Sequence, residues 1–334
     1  MRLRALFAGR AKRPAEPHRI PAAPAAGPGA AVASPPAVVA PSLELNLGWL
    51  TDAADPLTAV FLGRIGRALQ AGPINLPCFP DIVPRVRQAL DDPETTADDL
   101  VRIAATEPRL AARLLQTANS AVFNTSGVPV RDLRSAVNRL GHNLLQSVTM
   151  AFAVQQMRAD VRLKSVAVPL AELWEKSMAV ASICEVIARE LRVPPDKVFL
   201  TGLLHGIGQF YILVSAATES DSIDVQSLDP ALLRAAHPAF GRAVLQRWNF
   251  ETIVCEAVGR QHDRSRESAQ RADITDVVVA SVVLAEVRAT PERDLGPCWE
   301  TSAFERLALG PKQLAQILSH TDHVLDSLKE SLAG

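Results

Sequence analysis

The sequence predicts an all-α protein, and three observations carry that expectation. Alanine, leucine and arginine, which favour helix, are abundant, while aromatic residues make up only 4% of the chain. Alternating apolar and polar residues, the mark of a half-buried strand, are scarce, and apolar residues recur instead at helical spacing. One run, Val198 to Val214, is apolar on every side, as a helix buried in a core must be. Its 17 residues reach only the short edge of a membrane span, and they include His205, Gln209 and three glycines. It reads as the central helix of a soluble core, with no membrane span.

Taken in order, residues 1–41 form a tail. The first 40 hold six arginines and lysines against one acid, Glu16, and residues 21–41 are dominated by alanine and proline. Such a stretch has too little apolar surface to bury, so a disordered basic leader is expected. The apolar segment Ala5–Ala8 is too short for a secretory signal. Residues 42–72 are a linker and a first helix, opened by Asp55-Pro56, striped with Phe61, Ile65 and Leu69, and closed at Gly72-Pro73. Pro77, Pro80 and Pro84 make an extended lead-in to the next helix. Thr95 or Thr96 caps another, whose first turn holds Asp98 and Asp99 at the positive end of its dipole. A turn at Thr106-Glu107-Pro108 opens a leucine-rich helix that ends at Ala118-Asn119-Ser120-Ala121. Asn119 and Ser120 can bond the helix's free carbonyls or the following loop. Gly141 suits the left-handed residue that ends a helix. Further helices are expected over 142–160, with a break at Ser165–Pro169, and over Pro169–Leu191. Others follow over 198–214, from Pro230 with a break near Pro238, over 249–262, over Ile274–Val287 and from Pro311 to Leu328. Residues 215–228, 263–271 and 291–300 read as loops.

The chain is 48% apolar and 21% charged, the balance of a folded globular protein. Beyond the tail it holds 29 basic and 35 acidic residues, which speaks against a nucleic-acid binder. Cys78, Cys184, Cys255 and Cys298 form no CxxC pair, so a zinc knuckle is not expected, and reduced, buried thiols point to the cytoplasm.

Two resemblances follow from the motifs. Gly202-Leu203-Leu204-His205-Gly206-Ile207-Gly208 resembles the GLLHDIG of the HD superfamily of metal-dependent phosphohydrolases, with Gly206 in place of the aspartate. Leu76-Pro77, Glu107-Pro108, Ala118-Asn119-Ser120-Ala121, Ala136-Val137 and Leu140-Gly141 occur in the order seen in the N-terminal half of the HDOD (HD-related output) domain. The stretch from His237 to Asp263 resembles the later part of the same domain, with Trp248 kept, Glu251 for a proline and Asp263 for a second histidine. The chain is thus similar to an HDOD protein over about 73–265. The expected organisation is a tail (1–41), a linker and first helix (42–72), an HDOD domain (73–268, halves 73–160 and 168–268), and a helical extension (269–334) packed on the same core.

The resemblance implies the site residues. The family's W-x-H-S is Trp174-Glu175-Lys176-Ser177 here, the His-Asp pair is His205-Gly206, and the final aspartate falls at Ala285-Glu286. His237 and His262 remain. An HD site needs such ligands to turn a metal-bound water into a nucleophile. With Lys176 a cation and Gly206 without a ligand atom, no metal and no cofactor are expected, although three histidines and a water make a zinc shell in other enzymes. His205 reads as a hydrogen-bonded core residue, and His237 and His262 as partly exposed residues of a relic cleft. Asp263 and Glu286 read as solvated or paired with Lys176 or an arginine. The resemblance implies a catalytically inactive bacterial signalling module that works through a protein partner, with self-association left open. Two alternatives stand beside it: a residual phosphohydrolase or cyclic-dinucleotide phosphodiesterase, and a non-hydrolysing nucleotide sensor contacting phosphate through Lys176, Arg242 and Arg260.

Overall fold

The computed structural model describes residues 45–332, apart from 53–54, 73–79, 125, 159, 192–194, 219–222, 269–270, 291 and 293. The expected tail, the Leu76-Pro77 lead and Cys78 lie outside the described residues. Among the described residues every regular element is helical.

A 3-10 turn (Gly48–Asp52) follows the chain entry, where Leu45 and Leu50 are buried. α1 (Pro56–Ala71) begins where Asp55-Pro56 predicts. The Asp55 carboxylate accepts the Thr58 N–H, and proline takes the first turn, where no N–H is needed. After α2 (Ile82–Asp91), α3 (Ala97–Ala105) is capped by Thr96, not Thr95, in a reciprocal box with Asp99. α4 (Pro108–Asn119) ends on Ser120, whose hydroxyl donates to the Thr117 carbonyl. The Asn119 amide both donates to and accepts from the backbone of Val130, at 2.8 Å each way. Both roles open to this pair, helix end and loop anchor, are filled. α5 (Leu133–Arg158) kinks at Gly141, which has the predicted left-handed conformation (φ 66°), but the helix resumes at once instead of ending.

The break expected at Ser165–Pro169 comes earlier. Asp160 caps a 3-10 turn (Val161–Val166) that runs straight into α6 (Ala167–Leu191), with Pro169 in the first turn, where proline is tolerated. The apolar run is two helices, not one. α7 (Pro195–Leu204) and α8 (Ile207–Thr218) meet at a turn over His205 and Gly206. In a continuous helix the His205 carbonyl would accept the Gln209 N–H; here it accepts the Gln261 side-chain amide at 2.8 Å. Lys197–Thr218 is apolar and long enough to cross a membrane, yet 89% of its apolar window is buried inside the fold.

α9 (Pro230–Arg247) passes through Pro238 without the expected break, because Ala236, His237, Phe240, Gly241 and Val244 around it are held in the core. α10 (Thr252–Gly259) is shorter than the segment expected, since Asn249 before it turns left-handed (φ 54°). α11 (Ile274–Ala289) starts at a second capping box, Asp273 with Asp276. The expected loop at 291–300 contains α12 (Gly296–Trp299), and α13 (Ser302–Arg306) is too short to announce itself by periodicity. α14 (Pro311–Leu332) runs a turn past Leu328.

The buried side chains form two clusters. One joins α1, α2, α4, α5, α7, α8, α9 and one face of α6. The other joins Val180, Ile183 and Ile187 on the far side of α6 to α11, α13 and the start of α14. The extension touches both clusters. Most of it packs on the far side of α6, because α11 is apolar all round and needs covering on every side, while Val324, Leu325 and Leu328 of α14 reach the first cluster.

A buried ion cluster pins the extension. Asp276 is fully buried and accepts from Arg266 (2.9 Å) and twice from Arg306 (3.0 Å each), while Asp273 accepts from Arg266 at 2.6 and 2.9 Å. Removing one member leaves the others as uncompensated buried charges. Asp276→Ala is expected to cost about 3–5 kcal/mol in urea unfolding. Loss of the half-exposed Arg288–Asp322 pair should cost no more than about 1 kcal/mol. An equal, small cost for both would show that the cluster does not hold the extension.

Candidate functional site

Five elements bring the predicted residues to one place. α6 supplies Lys176, the α7–α8 turn supplies His205 and Gly206, and α9 supplies His237. The turn after α10 supplies Arg260, His262 and Asp263, and α11 supplies Glu286. The approach of α8 to α9 sets the geometry. A Cβ on Gly208 would lie 1.9 Å from the His237 carbonyl oxygen and 2.4 Å from the Gly241 nitrogen, so the two backbones touch with no room for a side chain.

That contact buries His237, only 5% exposed, where a partly exposed residue was expected. Its Nε2 faces His262 Nε2 at 3.0 Å, with the rings at 83° to each other. One ring must donate and the other accept, so at least one is neutral. His262 itself is partly buried. His205 is the expected core histidine: its Nδ1 donates to the Gly202 carbonyl at 2.8 Å. Burial, then the charge of Lys176, lowers His205 to about 3 and His262 to about 4. Burial and His262 push His237 well below its ordinary value. The ammonium of Lys176 is itself drawn down by burial, against the pull of Glu286.

The acids are paired with arginines. Asp263 holds Arg260 at 3.1 Å and Glu286 holds Arg264 at 2.7 Å. Arg242, a candidate phosphate contact, is engaged by Glu256 at 2.7 Å. Trp174 is buried beside the site, and the Trp248 carbonyl at the end of α9 accepts Arg87 at 2.6 Å, so both are packing and capping residues. Sequence reasoning missed Arg234 and Gln261. Arg234 stands one helical turn before His237, a spacing that places both on one face of α9. Gln261 adjoins His262 and bonds the carbonyls of His205 and Val258, fixing the turn between α7 and α8.

The model of the HDOD domain family matches residues 76–264. The chain belongs to the HDOD family. Solved structures share the fold. One is a candidate metal-dependent phosphohydrolase from Shewanella amazonensis SB2B: TM-score 0.65, 23% identity, covering 82% of this chain and 98% of that one. A second is an HDOD domain protein of unknown function from Geobacter sulfurreducens: TM-score 0.54, 22% identity, 83% and 99%. A third is a candidate signal transduction protein from Marinobacter aquaeolei VT8: TM-score 0.51, 17% identity, 86% and 69%. An uncharacterized protein of Treponema pallidum is 25% identical over 206 residues, or 57% of this chain, which spans 38% of that relative's length.

The resemblance of Gly202–Gly208 to the HD motif implies a divalent metal, and the residues of this site do not fit one. Gly206 offers no ligand atom, and a Cβ there would already lie 2.6 Å from Leu173 Cδ1. The two carboxylates are turned to arginines, the imidazoles are bonded to a carbonyl or to each other, and Lys176 adds a positive charge. Among the described residues, no group of three or more His, Cys, Asp or Glu is placed to hold a metal. Hard cations need the carboxylate charge that is missing here.

Two expectations follow. Gly208→Ala should destabilise by about 3 kcal/mol or more in denaturant unfolding, since only backbone could give way. Gly206→Ala, which meets a movable leucine tip, should cost about 1–2 kcal/mol. Equal costs would mean that α8 and α9 are free to part. The histidines also set a pH dependence. His205 and His262 titrate lower when folded than the 6.5 of the unfolded chain, so the unfolded state takes up protons first as pH falls. Stability should drop below pH 6.5, by about 1.4 kcal/mol for each of the two at pH 5.5. His262→Gln should flatten that dependence in urea titrations at pH 7.5 and 5.5, and an unchanged slope would show that His262 is not held neutral.

Proposed function

We propose that this HDOD chain is a catalytically inactive signalling module that acts by binding a protein partner in the bacterial cytoplasm. One observation carries the reading: where the HD chemistry needs a histidine and an aspartate, the site holds the cation Lys176 and the unsubstituted Gly206, and its two carboxylates are spent on Arg260 and Arg264. Water activation by a metal has no ligand set to run on. The name of the Marinobacter relative, a candidate signal transduction protein, agrees with an output role. Exposed apolar residues on the first turn and α1 (Trp49, Leu57 and Val60) offer the kind of surface that protein contacts use, with a second copy of the chain as one candidate.

The test is metal content and hydrolysis together. Protein purified without chelator should carry no more zinc, iron or manganese than a His205→Ala control, by mass spectrometry, and should not cleave bis(p-nitrophenyl) phosphate with added manganese. Stoichiometric metal that the control lacks, with cleavage that tracks it, would replace this reading with a residual phosphohydrolase.

A further inference from the structure

A trough of about 450 Å³ opens between α4 and α5, and none of the HD-derived positions lines it. One side is α4, where Arg109, Arg113 and Gln116 stand three or four residues apart and so share one face of the helix. The other side is the last stretch of α5, where Phe152, Gln155 and Gln156 recur at the same spacing. Arg113 is only 7% exposed, and its guanidinium donates to Gln155 Oε1 at 3.0 Å. Arg109 is exposed, and its side chain makes no hydrogen bond or ion pair with any described residue. The same holds for the side-chain amides of Gln116 and Gln156.

The charges of this lining do not balance. Among the described residues it holds two guanidinium groups and no carboxylate. The nearest acids along the chain are engaged elsewhere. Glu107 caps α4 by accepting the Arg109 backbone N–H at 3.4 Å, and Asp160 holds Arg162 at 2.9 and 3.0 Å. The cleft between the first half of α9 and the turn after α10 is the contrast. It is larger, about 910 Å³, but sets Arg234 and Arg260 against Asp229 and Asp263. In the trough, the Gln155 amide satisfies an N–H of Arg113 without cancelling its charge. An anion placed beside a cation so far withdrawn from water gains more than it would at the surface.

We propose that the trough binds a small organic dicarboxylate, with one carboxylate on the buried Arg113, the other on the exposed Arg109, and the Gln116 and Gln156 amides as further donors. A guanidinium is a planar fork that matches a carboxylate with two parallel hydrogen bonds. The two forks belong to one buried and one exposed side chain, so two separated anionic groups answer them better than the single centre of inorganic phosphate. The volume suits a small molecule and leaves room for a short carbon body, to which Phe152 offers an apolar wall. The trough shares no residue with the HD-derived site, so binding here is independent of metal and of hydrolysis.

The probes are malonate, succinate and glutarate added to the full chain, followed by thermal melting at an ionic strength held constant with sodium chloride, with acetate and phosphate as anion controls. A ligand of the folded state raises the melting temperature, here by about 2 °C or more at saturation for at least one of the dicarboxylates. The rise should vanish in Arg109→Gln, a change on an exposed helix face that leaves the fold intact. It should shrink in Arg113→Lys, which keeps the charge and loses the fork, and persist in Arg234→Ser, at the α9 cleft. No rise with any dicarboxylate, an equal rise with acetate or phosphate, a rise undiminished by either trough substitution, or one lost in Arg234→Ser would overturn the proposal, whatever the metal content shows.

Discussion

The backbone contact between α8 and α9 at Gly208 is the constraint on which the site depends. With no side chain between them, α8 lies directly on His237 and Gly241, and that contact drives His237 into the core and against His262. The turn over His205 and Gly206 comes immediately before this contact. The chain bends, and Gln261 supplies the hydrogen bond that the bend removes. The α7–α8 turn and the histidine pair thus lie on either side of one close approach.

Much of this was legible in the sequence, for reasons that can be named. Helix starts were read well because their signals are local: Asp55-Pro56, Thr96 with Asp99, Glu107-Pro108 and Pro230 each act within one turn. The left-handed Gly141 was read for the same reason. The break inside Val198–Val214 was not, because it is imposed by α9 and Gln261, residues far away in the chain. Pro238 misled in the opposite direction: its local tendency to break a helix is overridden by the burial of its neighbours. The two cores were illegible for a related reason. An apolar helix such as α11 announces that it is buried without saying what covers it.

For the site, the motif located the residues but not their roles. His205 reads correctly as a core histidine, since a histidine inside an apolar run must bond to backbone. Asp263 and Glu286 do pair with arginines, but which arginines depends on the turn after α10. Arg234 carries no motif, and only its place one turn before His237 connects it to the site.

The same turn joins the site to the extension. Arg260, His262 and Asp263 form the cleft wall, Arg264 reaches Glu286 on α11, and Arg266, two residues on, enters the Asp273–Asp276–Arg306 cluster. The hydrogen bonds from Ser302 to the carbonyls of Arg264 and Arg266 fasten the segment to α13. Seven consecutive residues therefore serve both as one side of the cleft and as the anchor of the second core. Side chains on so short a tether cannot shift independently, because His262 is held by His237 on α9, and Arg264 and Arg266 by acids on and at the cap of α11. The extension, which lies beyond the stretch matched by the HDOD model, is thereby part of what holds the cleft in shape. Its helices give the wall a rigidity that the turn, with few backbone hydrogen bonds of its own, would lack.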